Sequence, residues 1–336
     1  MQDRRDLAPT MMNKDLILIL TQKDDQHADQ VIEELRCRQH DFLRFDTASF
    51  PMHATLKAAH ESNGWQGGIH VQDQFIDFER IKSIWFRRPT RFQVHPLLDS
   101  RQAHFAENEA RMAVGGLLRS LDCLWVNHPE RQVSASYKPY QLQVAHSCEL
   151  LIPPTLITND PLAVEQFFRR YQSIVYKALS GTTIEREGEF ANIYTTLIDE
   201  EKLQSILPSV KNTACLFQQT IPKQADIRVT IIGEQIFSTW IGSQKSERTA
   251  IDFRRSYEDL EGTYRPYQLP SAIEAKLHLL MKKLDLSFGA LDLILTPDEQ
   301  YVFVEINAAG QFDWLQAETG APLIETLVAL LIRGRG

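Results

Sequence analysis

Two acids and an amide interrupt a pair of apolar runs near the C-terminus. Asp292 lies in the run 291–295, and Glu305 and Asn307 lie in 301–307, with the polar turn Thr296-Pro297-Asp298-Glu299-Gln300 between them. Both runs read as buried strands, so the segment is predicted to be a hairpin. A carboxylate in a core is costly unless it meets a cation or coordinates a metal. Carboxylate and amide oxygens are hard donors of the kind that hold Mg²⁺ against nucleotide phosphates, which makes Asp292, Glu305 and Asn307 the metal candidates. The competing reading is a hairpin whose acids face solvent.

Cations stand elsewhere at places that suit a phosphate. Lys177 ends the strand pattern 174–176, and a small loop, 178–183, with Ser180 and Gly181, follows it. A lysine aimed from a strand at phosphates, beneath a loop whose N–H groups close over them, is one way to bind a nucleotide. A strand-end lysine reaching for water is the other reading. Lys138, at the start of a helix pattern, is a weaker phosphate candidate, because helix surfaces carry many lysines. Asp226 and Arg228 share one face of a strand, since side chains alternate with period two. They form either an exposed ion pair of little worth or a site in which Arg228 braces a transferring phosphoryl group. Arg254, in Asp252-Phe253-Arg254-Arg255, follows the polar, mobile-looking segment 243–249 and is a second candidate for phosphate or a substrate carboxylate. Gln311 lies just beyond the hairpin. The histidines, among them His53, His60 and His70, are spread over loops without ligand spacing and carry no catalytic expectation. Trp85, Phe86, Phe167 and Phe168 read as core.

The bulk composition excludes several classes. At 336 residues the chain exceeds a typical single core and splits into two or three lobes. With 43% hydrophobic and 24% charged residues it is a soluble globular protein rather than a disordered or fibrous one. A net charge of −8 argues against general nucleic-acid binding, which needs a concentrated basic surface. Cys37, Cys123, Cys148 and Cys215 form no C-x-x-C pair and read as the reduced thiols of a cytosolic protein. The apolar run 16–20 is too short for a signal peptide, and the residues before Met11 and Met12 read as a loose extension, which makes either methionine a candidate start. No apolar stretch approaches the roughly 20 residues of a membrane span; the longest, 327–332, reads as a packed C-terminal helix.

The elements that must position these residues follow from periodicity. Residues 1–128 give strands at 15–20, 42–45 and 81–86, a helix at 28–39, a small hairpin over 69–71 and 75–78, a long helix at 97–121 and a closing strand at 125–127. That is a small α/β domain with an open, partly parallel sheet. Residues 129–219 give a helix at 138–147, an edge strand at 153–158 where proline is tolerated, a capped helix at 162–171 and strands at 173–178, 193–198 and 214–219. Residues 220–336 hold strands at 227–232 and 235–241, the hairpin with its acids, and a closing helix from Pro322. The fold class is α/β, with α+β lobes.

In chain order, Lys138, Lys177 with its loop, Phe217-Gln218-Gln219-Thr220-Ile221-Pro222, Asp226-Ile227-Arg228, Asp292 and Glu305-Ile306-Asn307 resemble an ATP-grasp ligase. More narrowly, Trp85-Phe86-Arg87-Arg88-Pro89, Asn127-His128-Pro129, Lys138-Pro139-Tyr140-Gln141-Leu142, residues 152–159 and Asp252-Phe253-Arg254 are similar to the ATP-grasp peptide maturases of the microviridin, or graspetide, type. The resemblance runs over nearly the whole chain. It implies an ATP-grasp fold behind an N-terminal pre-ATP-grasp α/β domain, with ATP between a central lobe (129–219, also the leader-peptide side) and a C-terminal lobe (220–336). It implies phosphate contacts from Lys138, Lys177, Ser180 and Gly181, and adenine reading by backbone groups of Gln218, Gln219 and Ile221. Mg²⁺ would sit on Asp292, Glu305 and Asn307. Arg228 and Arg254 would face the phosphoryl group and the substrate acid, with Asp226 helping to deprotonate the nucleophile. Gln219 stands where many ATP-grasp hinges carry glutamate; backbone recognition of adenine survives that change. Family members phosphorylate an Asp or Glu side chain of a ribosomal precursor peptide, made of leader and core, and a Ser, Thr or Lys side chain of the same peptide then closes a lactone or lactam. Related enzymes are often dimers, so a homodimer is one expected assembly.

The implied chemistry is physically coherent. A carboxylate becomes an electrophile once phosphorylation supplies a leaving group, and the transfer needs alignment and cations more than covalent help. The acyl phosphate must be shielded from water, which suits the loop 180–183 and a lid near 244–254. Two other readings stand beside the macrocyclase: an intermolecular carboxylate–amine ligase, and a non-catalytic scaffold that binds a peptide for a partner enzyme.

Overall fold

The computed structural model describes residues 14–62, 64–180, 183–186 and 189–335. The chain divides into two compact units. Residues up to His128, with those from Ile324 onward, form one; Pro129–Leu323 form the other.

The first unit begins β1 (Leu16–Thr21), α1 (Gln26–Cys37), β2 (Phe42–Phe45), β3 (Ala54–Glu61), β4 (Gly64–Val71) and β5 (Gln74–Asp77). It continues β6 (Ile81–Arg88), α2 (Ser100–Arg119) and β7 (Leu124–Val126). Its main sheet has the order β2-β1-β6-β7, and every pairing is parallel rather than partly so. All six residues of β1 are buried, the continuous apolar run a parallel strand needs when both its faces are covered. Helix α2 starts at Ser100, later than the pattern suggests, because Asp99 and Gln102 close a capping box there. The antiparallel sheet β3-β4-β5 is larger than the expected hairpin, and His60 and His70 lie in its strands, not in loops. Strand β3 turns only Ala54, Leu56 and Ala58 toward apolar neighbours, too little apolar weight to stand out in sequence. Arg87 is buried within 3.8 Å of the Asp25 carboxylate, a structural placement rather than a peptide-binding one.

The second unit opens with α3 (Pro129–Ser136), α4 (Lys138–Ser147), β8 (Thr155–Thr158), α5 (Pro161–Tyr171), β9 (Ile174–Lys177), β10 (Thr183–Arg186), β11 (Glu189–Asn192), β12 (Thr196–Ile198), α6 (Glu200–Val210) and β13 (Cys215–Gln219). One antiparallel sheet orders these strands β12-β9-β13-β8, with β8, which follows Pro153 and Pro154, at the edge. There follow β14 (Ala225–Ile232), β15 (Gln235–Ile241), β16 (Tyr264–Tyr267), α7 (Ser271–Leu284), β17 (Phe288–Leu295), β18 (Tyr301–Asn307), α8 (Asp313–Thr319) and α9 (Leu323–Arg333). A second antiparallel sheet takes the order β16-β15-β14-β17-β18. Its core face carries Ile227, Val229 and Ile231 of β14 with Leu291, Leu293 and Leu295 of β17, packed on Leu277, Leu280, Met281 and Leu284 of α7. Period two then sends Asp226, Arg228, Asp292 and Glu305 to the opposite face. The segment 243–249, mobile-looking in sequence, is anchored at both ends: Ser243 and Thr249 are fully buried, and the Thr249 hydroxyl donates to the Ser243 carbonyl at 2.7 Å.

Candidate active site

Strand register assembles the first row of charges. Arg228 of β14 stands opposite Asp292 of β17, which stands opposite Glu305 of β18. The pairing of β17 with β18 shifts by one residue there: Asp292 pairs with Glu305, but Leu293 pairs with Phe303. This bulge turns Glu305 to the cleft while Phe303, two residues earlier, stays in the core. Asn307 pairs with Ala290, so all three oxygen donors of the hairpin share one face.

The acids on this face are matched by cations. Arg228 Nη1 donates to Asp292 Oδ1 at 2.9 Å, and its Nη2 to the Gln311 carbonyl at 3.4 Å. Lys138, the first residue of α4, reaches Glu305 in an ion pair, and Arg254 Nη1 lies 3.8 Å from the same carboxylate. Arg254 also grips both oxygens of Asp252, at 2.8 and 2.7 Å, and Asp252 accepts the Thr195 N–H at 2.9 Å. Burial alone would raise the Glu305 carboxyl, but Lys138 and Arg254 hold it well below the usual carboxylate range. Burial likewise opposes ionisation of Asp252, yet the Arg254 fork keeps it at about 2, and the Asp252 hydrogen bonds raise Arg254 in turn. Asp226 takes Lys223 Nζ at 3.1 Å, and burial raises its carboxyl despite that ammonium. Lys177, at the end of β9, is pushed down to about 8, mainly by burial.

Most of these groups line one open cleft. Its walls include Lys138, Lys177, Asp226, Asp252, Arg254, Asp292 and Glu305. A neighbouring pocket, lined by Gln218, Gln219, Thr220, Ile221 and Lys223, shares Lys177, Thr195, Ile251 and Ile294 with it. The Gln219 N–H donates to the Pro154 carbonyl and the Thr220 N–H to Ser173, whereas the Ile221 N–H has no hydrogen-bond partner among the described residues. The buried Gln218 side chain donates to Thr155 Oγ1 at 3.0 Å. Two expected residues are not drawn in. Ser180 is exposed, and Asn307 is exposed with its Oδ1 accepting the Ala309 N–H at 3.0 Å. Gly181 lies outside the described residues.

Sequence reasoning passed over three participants. Lys223 sits in a loop, and only the fold aims it at Asp226 and the Ile251 carbonyl. Asp252 and Arg254 were visible as parts of one motif, but Thr195, whose N–H Asp252 accepts, and Glu305, which Arg254 approaches, come from distant segments. Gly310 is forced by proximity: a Cβ there would stand 2.5 Å from the Ala290 Cβ and 3.0 Å from Arg228 Nη2. Its place just after the hairpin gave a signal that went unused.

The donor set suits a hard divalent cation. Among the described residues no group of three or more His, Cys, Asp or Glu is placed to hold a metal. Two carboxylates and an amide on one face fit Mg²⁺ all the same, because that ion keeps several waters and takes phosphate oxygens as further ligands. The surrounding lysines and arginines fit a polyphosphate.

Comparison with known proteins agrees with this geometry. Residues 16–133 match the MvdD pre-ATP-grasp domain and residues 137–331 the RimK-like ATP-grasp domain. The fold is similar to that of a RiPP-associated ATP-grasp ligase of Chryseobacterium gregarium in complex with ADP and a leader and core peptide. That pair has a TM-score of 0.86 and 28% identity, covering 95% of this chain and 97% of the other. It is also similar to the macrocyclase MdnC of Microcystis aeruginosa bound with precursor peptide MdnA (TM-score 0.80, 31% identity, 95% and 99% covered). The macrocyclase MdnB of the same organism gives a TM-score of 0.73 at 28% identity, with 94% and 99% covered. A search of curated proteins found no match. From its first strand to its last helix, the chain belongs to the ATP-grasp family, with an MvdD-type pre-ATP-grasp domain ahead of a RimK-like ATP-grasp domain.

Proposed function

We propose that this protein is an ADP-forming ATP-grasp ligase acting as a peptide macrocyclase. It phosphorylates an Asp or Glu side chain of a ribosomal precursor peptide, and a Ser, Thr or Lys side chain of that peptide closes the ring as an ω-ester or ω-amide. The observation that carries this reading is the cleft that Lys138, Lys177 and Arg254 line together with Asp292, itself paired to Arg228, and Glu305, in a chain 28–31% identical to peptide-bound ATP-grasp enzymes. The scaffold reading requires a broken donor set, and Asp292, Glu305 and Asn307 are all present in the sequence.

ATP would bind between a central lobe, 129–219, and a C-terminal lobe, 220–336, and Asp292, Glu305 and Asn307 would hold Mg²⁺; the pair would supply the phosphoryl group and shield its charge. The Ile221 N–H, open beside Gln219, reads the adenine edge. Lys138 and Lys177 hold phosphate oxygens, with Ser180 and Gly181 on the loop above. Arg228 and Arg254, braced by Asp292 and Asp252, orient the substrate carboxylate for in-line attack. Asp226, whose burial raises its carboxyl and so makes its carboxylate the stronger base, is poised to take a proton from the incoming hydroxyl or amine. The tethered nucleophile attacks the acyl phosphate at high effective concentration, expelling phosphate as the new ester or amide bond forms. No helix among the described residues is long and apolar enough to cross a membrane. The partner is a leader-plus-core peptide and the site of action the cytoplasm, with a homodimer as one expected assembly.

The test is mass spectrometry of the precursor peptide encoded beside this protein after incubation with the protein, ATP and Mg²⁺. Loss of one water mass per ring, only with ATP, is expected, and mild hydrolysis separates esters from amides. An unchanged peptide with ATP turned over in the presence of free amines or amino acids would replace this reading with the intermolecular ligase.

A further inference from the structure

The two carboxylates that suit Mg²⁺ already have cationic partners of their own. Glu305 is paired to Lys138 and lies 3.8 Å from Arg254, while Asp292 is held by Arg228 at 2.9 Å. Asp252 in turn neutralises Arg254. The two metal-facing acids and Asp252 are thus balanced by Lys138, Arg228 and Arg254, three negative charges against three positive. None of the three cations' side chains is more than 32% exposed. A dication entering alone would meet no net negative charge and would have to displace the Lys138 ammonium from Glu305. The same charges respond differently to a polyphosphate. Its oxygens offer Lys138 and Arg254 new acceptors, and the long flexible lysine stem lets the ammonium swing to them.

We propose that Lys138 serves as an internal counter-ion of Glu305 that makes metal binding conditional on nucleotide: the metal position is closed to a free divalent cation and opens when phosphate draws the ammonium away. This rests on the proposed reading of Asp292 and Glu305 as metal ligands. Lys138 is then both a phosphate ligand and the residue that sets the order of assembly. Nucleotide enters first or together with the metal, never after it. The arrangement keeps the enzyme from being held in a metal-loaded, nucleotide-free form.

The test is Mn²⁺ binding in the absence of nucleotide, read by electron paramagnetic resonance of the free ion, for the wild type, Lys138→Met and the double variant Lys138→Met/Glu305→Gln. Thermal melts confirm that each variant is folded, and Lys138→Gln stands in if the Met variant is not. The wild type should bind Mn²⁺ weakly, and Lys138→Met more tightly by about tenfold, inside the roughly 5–150-fold typical of coupling between sites. The double variant should lose that gain. Equal affinity of wild type and Lys138→Met, whether both tight or both absent, overturns the counter-ion role. Failure of the ligand assignment shows separately: with a non-hydrolysable ATP analogue, Mn²⁺ held by the protein would then be indifferent to Glu305→Gln alone.

Discussion

The lysine at the end of β9 makes nucleotide affinity depend on pH in a way that can be calculated. Burial holds the Lys177 ammonium at about 8; Glu305 resists this, and Lys138 and Lys223 add to it. Bound phosphates favour the charged form, returning the group toward the ordinary lysine value of about 10.4. Binding therefore takes up a proton above pH about 8, and each further unit removes a factor of about ten in affinity, about 1.4 kcal/mol. Between pH about 7 and about 9.5 the loss sums to roughly thirtyfold. Titration calorimetry with ADP at several pH values, in buffers of different ionisation enthalpy, reads both the affinity and the proton uptake. Lys177→Arg stays charged throughout and should flatten the profile. A flat wild-type profile, or a slope that survives in Lys177→Arg, refutes the reasoning. The sign for folding is opposite. A depressed lysine pKa is a cost to the nucleotide-free fold below pH about 8, and that cost is relieved as pH rises toward about 10.4, so stability climbs over this window.

Three other outcomes are expected. Glu305→Ala and Asn307→Ala should each abolish ATP turnover while shifting the melting temperature by only about 2–4 °C, and turnover retained by either variant counts against its role as a metal ligand. Gly310→Ala drives a methyl group into Ala290 and Arg228 Nη2; kcat should fall by about tenfold to a hundredfold with a stability cost of about 1–3 kcal/mol from overpacking, and unchanged kcat would show that Arg228 has room to give. Asp252→Asn removes the carboxylate that grips Arg254 and accepts the Thr195 N–H. Because Asp252 titrates at about 2, its stabilisation is present above pH about 4 and lost as pH falls toward 2, so the variant's stability should change less across that acid window.

The hairpin was legible because two apolar runs flanking a five-residue turn admit few other readings, and polar residues inside such runs announce themselves. The Asp226–Arg228 face followed from period two alone. Helix α7 carried an equally plain signal, Leu277, Leu280, Met281 and Leu284 at helical spacing, and α6 had its Asp199 cap and the apolar series Leu203, Leu207 and Val210; neither helix was singled out. Other features had no local signal. The reach of Lys223 depends on how a loop crosses a sheet edge, and the Thr195–Asp252 bond joins segments 57 residues apart. That the acids would be paired internally was equally invisible, since no periodicity links Lys138 to Glu305 across 167 residues.

The one-residue slip between β17 and β18 has a consequence for recombining such enzymes. If the same sequence ran on from the Leu293–Phe303 pair without a bulge, Asp292 would face Val304, and Glu305 would turn in toward the space that Ile306 fills. A one-residue register slip of β18 that erased the bulge would thus leave the ladder nearly intact and the hydrophobicity unchanged while removing the acid from the cleft. Chimeras that exchange the hairpin between ligases must therefore carry residues 288–307 as a single cassette. A crossover inside it, even between sequences that align without gaps, joins two different phases of the same strand.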